Sequence, residues 1–325
     1  MQLILRCKSL VSGAPAAFRP PPRWPRVRER VRAVAMRLAF TQSGIDHASL
    51  QRTDPDWIAA RAGERDACAI LFARGDLAAD EPGGPALTVH PSKAADFALK
   101  RPGLVFIGVQ NGRAWFAGSL EPGQAEKGPN FRVSAIKAEH DFGCIAGRAR
   151  AILQWHARRR FCSNCAGENE PHEGGLKLIC GSCGMEHFPR VDPSVIMLPY
   201  AGDRCVMGRQ ASWPEGLYAT LAGFIEPGET IEEACARETA EEIGLAVRSA
   251  VYVASQPWPF PSSLMIGLMA EIEPGELKPD DDLEDARWFT RDEVRALYDG
   301  PVATFAPANF SISRMLIDRW LEGAA

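Results

Sequence analysis

The chain has 325 residues, 46% of them apolar and 24% charged, and a formal net charge of −4. That is enough for two cores of ordinary domain size, with the composition of a globular protein rather than a disordered or fibrous one. No stretch approaches the roughly 18 uninterrupted apolar residues a membrane-spanning helix needs, so a helical anchor is disfavoured and an aqueous, cytoplasmic setting is expected.

Residues 1–36 differ from the rest. Arg6, Lys8, Arg19, Arg23, Arg26, Arg28, Arg30 and Arg32 face one acid, Glu29, giving a leader of net +7 that holds the run Pro20-Pro21-Pro22. The remainder therefore carries −11, an acidic body that repels bare phosphate backbone and argues against general nucleic-acid binding. The leader reads as a disordered or transit-like arm, or as sequence ahead of a misassigned start at Met36. It is set aside from the fold.

Residues 37–158 suggest a mixed α/β domain. Its clearest element is a hairpin, Leu104–Gln110 and Arg113–Ala117 around Asn111-Gly112, because both central residues of a type I′ turn need positive φ. No catalytic constellation appears there, so a scaffold or dimerisation role is expected. Residues 144–160 read as an amphipathic helix with Ile145, Ala149, Ile152 and His156 near one face.

Next comes a cysteine cluster, expected to span 159–190. Cys162-x2-Cys165 and Cys180-x2-Cys183, with 14 residues between the pairs, have the spacing that wraps one tetrahedral zinc. Four thiolates leave no site for water, so one structural Zn²⁺ per chain is expected. His172 and His187 are surplus, and Cys7, Cys68, Cys144, Cys205 and Cys235 read as scattered thiols in a reducing compartment. Zinc ribbons also bind nucleic acid, but Lys177 is the only basic residue between the pairs, which argues against that use.

Residues 191–325 alternate strand-like runs (194–200, 204–209, 217–223, 247–254, 264–272) with helices (from Ile231, then 291–298 and 311–322), the pattern of an α/β/α sandwich. Thr230 and Glu233 form a capping box and Gly244 a left-handed stop. Ile231, Ala234 and Cys235 mark an inward stripe that, at about 100° per residue, continues through Glu238, Glu241 and Glu242. Three acids on one inner face repel one another unless a cation compensates, and a divalent ion such as Mg²⁺ suits them.

The segment from Gly223 to Leu245 is similar to the Nudix box at Gly223, Glu229, Arg237, Glu238, Glu241, Glu242, Gly244 and Leu245. Seven fixed identities coincide by chance on the order of once in 10⁸ starts, which decides against an ordinary solvated helix. Thr239 departs from the usual aliphatic residue. Ser255-Gln-Pro-Trp-Pro-Phe-Pro-Ser-Ser263 and His187–Pro193 resemble the NADH pyrophosphatase branch, and the likeness runs over roughly residues 70–322. The N-terminal domain is then that branch's N-terminal domain.

That resemblance implies hydrolysis of the pyrophosphate of NAD(H) to NMN(H) and AMP with Mg²⁺ or Mn²⁺. Ala222 (through its carbonyl), Glu238, Glu241, Glu242 and Asp282 would surround the metals. The family usually has Glu where Asp282 stands, so ligation there could run through water. Glu241 is the implied general base, and Arg237 would orient the acids through a bidentate pair with Glu229. Phe188 and Phe224 would stack a substrate ring, Phe188 across a homodimer. Gln256, Pro257, Trp258, Pro259, Phe260, Pro261, Ser262 and Ser263 would line the nucleotide pocket, and Ser313 would touch substrate from the last helix. Two alternatives stay open: removal of NAD caps from RNA 5′ ends by the same chemistry, and a catalytically silent zinc-ribbon protein that binds nucleic acid or a partner.

Overall fold

A computed structural model describes residues 38–41, 44–82, 84–128, 130–132, 134, 140–280, 282–299 and 310–323. The Arg-rich leader lies outside them. No described helix is long and apolar enough to cross a membrane.

The first part contains α1 (Pro55–Ala62), β1 (Cys68–Ala73), β2 (Asp76–Ala79), β3 (Thr88–Val89), β4 (Val105–Gln110), β5 (Arg113–Ser119) and β6 (Glu126–Lys127), followed by the long helix α2 (His140–Arg158). Its six-stranded sheet runs β4-β5-β1-β2-β6, with β3 also on β1, and β1 parallel to β5. The β4–β5 turn is the expected one: Asn111 and Gly112 have φ of 52° and 82°. Ile145, Ala149 and Ile152 of α2 bury against Ile70, Phe72, Val105 and Ile107. His156, on the same stripe, reaches past the sheet to the carbonyl of Gly175 (2.7 Å) and so ties α2 to the ribbon.

The ribbon is a small antiparallel sheet of β7 (Asn169–His172), β8 (Lys177–Cys180) and β9 (Glu186–His187). The last part holds β10 (Asp192–Ala201), β11 (Arg204–Arg209), β12 (Leu221–Phe224), α3 (Ile231–Ile243), β13 (Val247–Trp258), β14 (Ser263–Ile272), β15 (Asp285–Thr290), α4 (Arg291–Asp299) and α5 (Ile312–Leu321). Its sheet order is β13-β14-β10-β11-β15, with β12 on β10. Strand alternation sorts the two cores. Val195 and Met197 of β10 meet Ala234, Cys235 and Ile243 of α3, whereas Ile196 and Leu198 meet Leu316, Ile317 and Trp320 of α5. This is the expected α/β/α sandwich.

Two boundaries move. The Pro-rich segment is not a free loop: β13 extends to Trp258, β14 starts at Ser263, and Gln256 and Trp258 pair with Met265 and Ser263. Leu38 lies in the α5-side core, and the amide of Ala39 donates to the carbonyl of Phe310 (3.0 Å). The start of the described chain thus packs into the last domain, not only into the first. Strand β15 has no counterpart among the expected elements; its alternation sends Ala286 and Trp288 to the α3-side core and Phe289 to the α5-side core, and the charged Asp285 and Arg287 mask that pattern in the sequence.

Candidate active site and metal centre

Helix α3 starts where its capping chemistry dictates. Thr230 accepts from the amide of Glu233 (3.2 Å) and Glu233 accepts from the amide of Thr230 (2.8 Å), while Gly244 closes the helix at φ 72°. The inward stripe is Ala234, Cys235, Thr239 and Ile243. Thr239 fits this core because its hydroxyl donates to the carbonyl of Cys235 (2.7 Å).

The stripe does not carry all three acids, and here the sequence-based expectation needs correcting. Glu238 and Glu242 sit beside the buried residues, but the side chain of Glu241 is 56% exposed. Glu241 is two residues from both Thr239 and Ile243, and at 100° per residue that places it about 160° around the helix from each, away from the core.

Burial raises the Glu238 carboxyl above the usual range. Glu242 is pushed up to about 8, first by burial and then by the neighbouring charges of Glu238, Asp280 and Asp282. Its Oε2 is buried without a hydrogen-bond partner among the described residues. Asp280 was not singled out in the sequence; no motif letter marks it. It arrives because residues 278–280 fold over the end of α3, with the amides of Lys278 and Asp280 donating to the carbonyls of Ile243 and Glu242 (2.9 and 3.2 Å). Asp282, exposed, follows two residues on, its amide donating to the Asp280 carboxylate (3.1 Å).

Arg237 organises the near side. It grips Glu229 with two bonds (Nε to Oε1 2.6 Å, Nη2 to Oε2 2.9 Å) and also donates to Glu238 (2.9 Å), Glu241 (2.8 Å) and the Phe224 carbonyl (2.8 Å). The guanidinium, helped by the amide of Glu226, holds Glu229 down at about 2. Gly223 allows β12 to approach: a Cβ there would lie 1.8 Å from Cδ of Glu238. The backbone of Ala222 hydrogen-bonds Glu242 from the same strand.

The residues present fit a divalent cation. An unpartnered buried carboxylate oxygen beside a second half-buried carboxylate, both unfavourable when charged, is the donor set a hard cation satisfies. The site is open: among the described residues only the four cysteines place three or more ligand atoms within 4.8 Å of one another.

In the ribbon, Sγ of Cys162 and Cys183 lie 3.7 Å apart and those of Cys165 and Cys180 3.4 Å. Four sulfurs about 2.3 Å from one tetrahedral zinc are about 3.8 Å apart, so the set is nearly pre-assembled. The knuckles share a left-handed residue after the second cysteine of each pair, Ala166 (φ 59°) and Gly184 (φ 71°). The backbone amide of Met185, with the side chains of Cys165 and Asn164, holds the Cys183 thiol down at about 6, which favours the thiolate a metal binds.

The substrate residues divide. Phe188 and Phe224 expose 62% and 60% of their surface, and no ring contact joins them among the described residues. Pro257, Trp258, Pro259, Ser262 and Ser263 line a cavity of about 630 Å³, but the rest of its lining comes from residues between 40 and 47, α2 and the linker Pro189–Val191 rather than from α3. Phe260 packs on Phe131 and under Arg150, Arg132 lies 5.0 Å above Trp258, and Pro261 faces α2.

Gln256 departs from its expected role. It is fully buried, its Nε2 donates to the carbonyls of Ala39 and Phe310 (both 3.0 Å), and its Oε1 accepts from the amide of Ile312 (2.9 Å). With all these bonds made inside the chain, it stitches three segments together. Ser313 is likewise buried and accepts from the Thr220 hydroxyl (2.8 Å).

A sandwich whose glycine-cradled helix offers half-buried carboxylates, preceded by a four-thiolate ribbon, is the architecture of a metal-using Nudix protein. Residues 190–308 match the NUDIX domain, and residues 157–188 match the NADH pyrophosphatase zinc ribbon domain. The NAD-capped RNA hydrolase NUDT12 of Macaca fascicularis is 42% identical over 233 residues, covering 64% of this chain and 50% of that protein. The NAD-capped RNA hydrolase NudC of Pseudomonas aeruginosa (strain LESB58) is 39% identical over 199 residues, 60% of this chain and 68% of that one. A NUDIX hydrolase crystal structure from Nitrosomonas europaea superposes with a TM-score of 0.42 at 23% identity, over 50% of this chain and 93% of that one. The chain spans about half the length of the NUDT12 relatives it matches. It belongs to the Nudix hydrolase family, in the NADH pyrophosphatase branch that carries the zinc ribbon.

Proposed function

We propose that the chain hydrolyses the pyrophosphate bond of NAD(H), giving NMN(H) and AMP, with the same chemistry available when NAD caps an RNA. The observation that carries this reading is the buried, unpartnered Oε2 of Glu242 beside Glu238, in a cradle that only a glycine at 223 permits.

Glu238, Glu242, Asp282 and the carbonyl of Ala222 would hold Mg²⁺ or Mn²⁺, with Glu241 at the rim. When bound, such ions neutralise the diphosphate and activate water. Glu241, exposed on the side of α3 away from the core and bonded to Arg237 at 2.8 Å, is the residue we assign to accept the proton of the attacking water. Arg237 holds the acids in register through Glu229. Phe224 offers a free ring face for a base. Phe188 supplies the second face from a partner subunit in a homodimer, for which the exposed Val191, Val251 and Tyr252 provide further apolar surface. The hairpin from Pro257 to Ser263 positions the nucleotide from the domain joint. Gln256 and Ser313 act behind it, as supports. A cytoplasmic setting accords with the reduced thiolates that zinc requires.

The relatives are named for NAD-capped RNA, which favours the capped substrate as a second reading. Product analysis settles the matter: NADH, NAD⁺, ADP-ribose and NAD-capped RNA at matched concentrations, with Mg²⁺ or Mn²⁺. NMNH and AMP from NADH are expected. No cleavage of any dinucleotide with either metal would end the proposal.

A further inference from the structure

The chain beyond the leader is acidic, yet the structure brings eight of its cations together along two adjoining hollows. A cleft of about 490 Å³ lies between the first domain and the ribbon, lined only by residues from 72 to 178, so no part of the last domain forms its wall. Arg74, Lys100, Arg101, Arg150, Arg159 and Arg160 line it, against one lining acid, Glu121.

Half of these cations are already engaged. Arg101 and Arg160 share Glu168 (3.2 and 2.9 Å), and Arg150 donates to the carbonyls of Gly75 and Pro259. Arg74, Lys100 and Arg159 make no ion pair among the described residues. Three unneutralised cations converging on a concave site raise its potential well above that of scattered surface lysines, and an anion is the ligand such a site prefers.

The cleft also continues. Gln154 and Arg159 are shared with a second hollow of about 370 Å³, which adds Arg158 and Arg190 and ends at Pro261 and Ser262 of the Pro-rich hairpin. Its acid, Asp192, is occupied by Arg190 and by the Ser262 hydroxyl. Cations therefore line a path around the C-terminal half of α2, from the hairpin to the cleft. A single nucleotide needs one end of such a path; a chain of phosphodiesters needs its length.

We propose that this path binds the ribose-phosphate backbone of an RNA strand whose 5′ cap is held at the hairpin. The proposal rests on the hydrolase reading above and adds a binding site outside the Nudix domain. Contacts to phosphate would be sequence-independent and salt-sensitive.

The test uses Lys100→Glu combined with Arg159→Glu in the full chain and, separately, Arg74→Glu in the turn between β1 and β2, so that misfolding of one variant leaves the other readable. Binding of a fluorescent, uncapped 20-nucleotide RNA is measured by anisotropy without added divalent metal, with AMP as competitor. In parallel, kcat/KM is measured on NADH and on NAD-capped RNA. We expect RNA binding and capped-RNA turnover to fall about tenfold, and the slope of log affinity against log salt to flatten by roughly one, at about 0.7 per phosphate contact for single strands. NADH turnover should stay within about twofold because no Nudix residue is touched, and AMP should not displace the RNA. Unchanged RNA binding, an equal loss on NADH, or full displacement by AMP each overturns the proposal. Were the wild type to cleave neither substrate, the hydrolase reading would fail while the anisotropy result still judged the RNA path.

Discussion

The ribbon and the carboxylate helix are both built to hold metal, and they solve the crowding of like ligands in opposite ways. The ribbon brings four sulfurs within 4.8 Å of one another on two rigid knuckles, a closed set with no vacancy. The helix leaves its acids apart: Arg237 draws Glu229, Glu238 and Glu241 to one side, and Glu242 stays buried with an oxygen unpaired. A set complete in itself serves the fold, whereas an incomplete one has room for substrate oxygens and water.

The sharpest way to break this contrast is to open the closed site. Cys180→Ala should take bound zinc from one per chain to none by elemental analysis and abolish hydrogen-exchange protection across the ribbon, because binding worth on the order of 10 kcal/mol is lost with one thiolate. Retained zinc or retained protection would show that the ribbon folds without it.

On the open site the expectation inverts. Glu242→Gln should cost about 10³-fold in kcat, as for loss of a metal-positioning charge, yet leave Tm equal or higher, since it removes a buried, self-repelling carboxylate. A Tm drop would mean that Glu242 is structural. Glu241→Gln should lose on the order of 10² in rate with the fold intact, the usual contribution of a general base; full turnover would take that role from it. Gly223→Ala places a methyl against the Glu238 carboxylate and should slow turnover about tenfold without altering zinc content. Undiminished turnover would show that Glu238 has room to move aside.

The smallest effect concerns the joint between ribbon and first domain. Burial lowers His156 below its ordinary 6.5, so it sits neutral and donates to Gly175. Below pH 6.5 the unfolded chain takes up a proton that the folded chain refuses. Stability is then full above 6.5 and declines as the pH falls toward the lowered folded value, with His47 shifted in the same direction. His156→Gln should reduce the Tm difference between pH 7.5 and 5.5; an unchanged difference would clear His156 of that role.

Much of this was legible in the residues. The Thr230–Glu233 cap, the Gly244 stop, the Asn111-Gly112 turn and the paired cysteines lie within a few residues of their partners, so spacing alone specifies them. So does the helix that carries the acids, whereas the bidentate grip of Arg237 on Glu229, eight positions apart, was implied by the family resemblance.

What spacing could not supply were meetings between distant segments. Asp280 reaches Glu242 only because a loop folds back over the helix end, and Gln256 is removed from the pocket by residues 39, 310 and 312. Glu241 turned outward because the packing of Thr239 and Ile243 chose the centre of the stripe, a choice that periodicity leaves free by one position. The basic path is the furthest from view. Net charge is a sum that forgets position, so a body of −11 gave no hint that eight of its cations line one path around α2. Local chemistry determined the elements and the identity of the reactive groups; long-range packing, which alone places remote side chains within a few ångströms, decided which of them face a ligand.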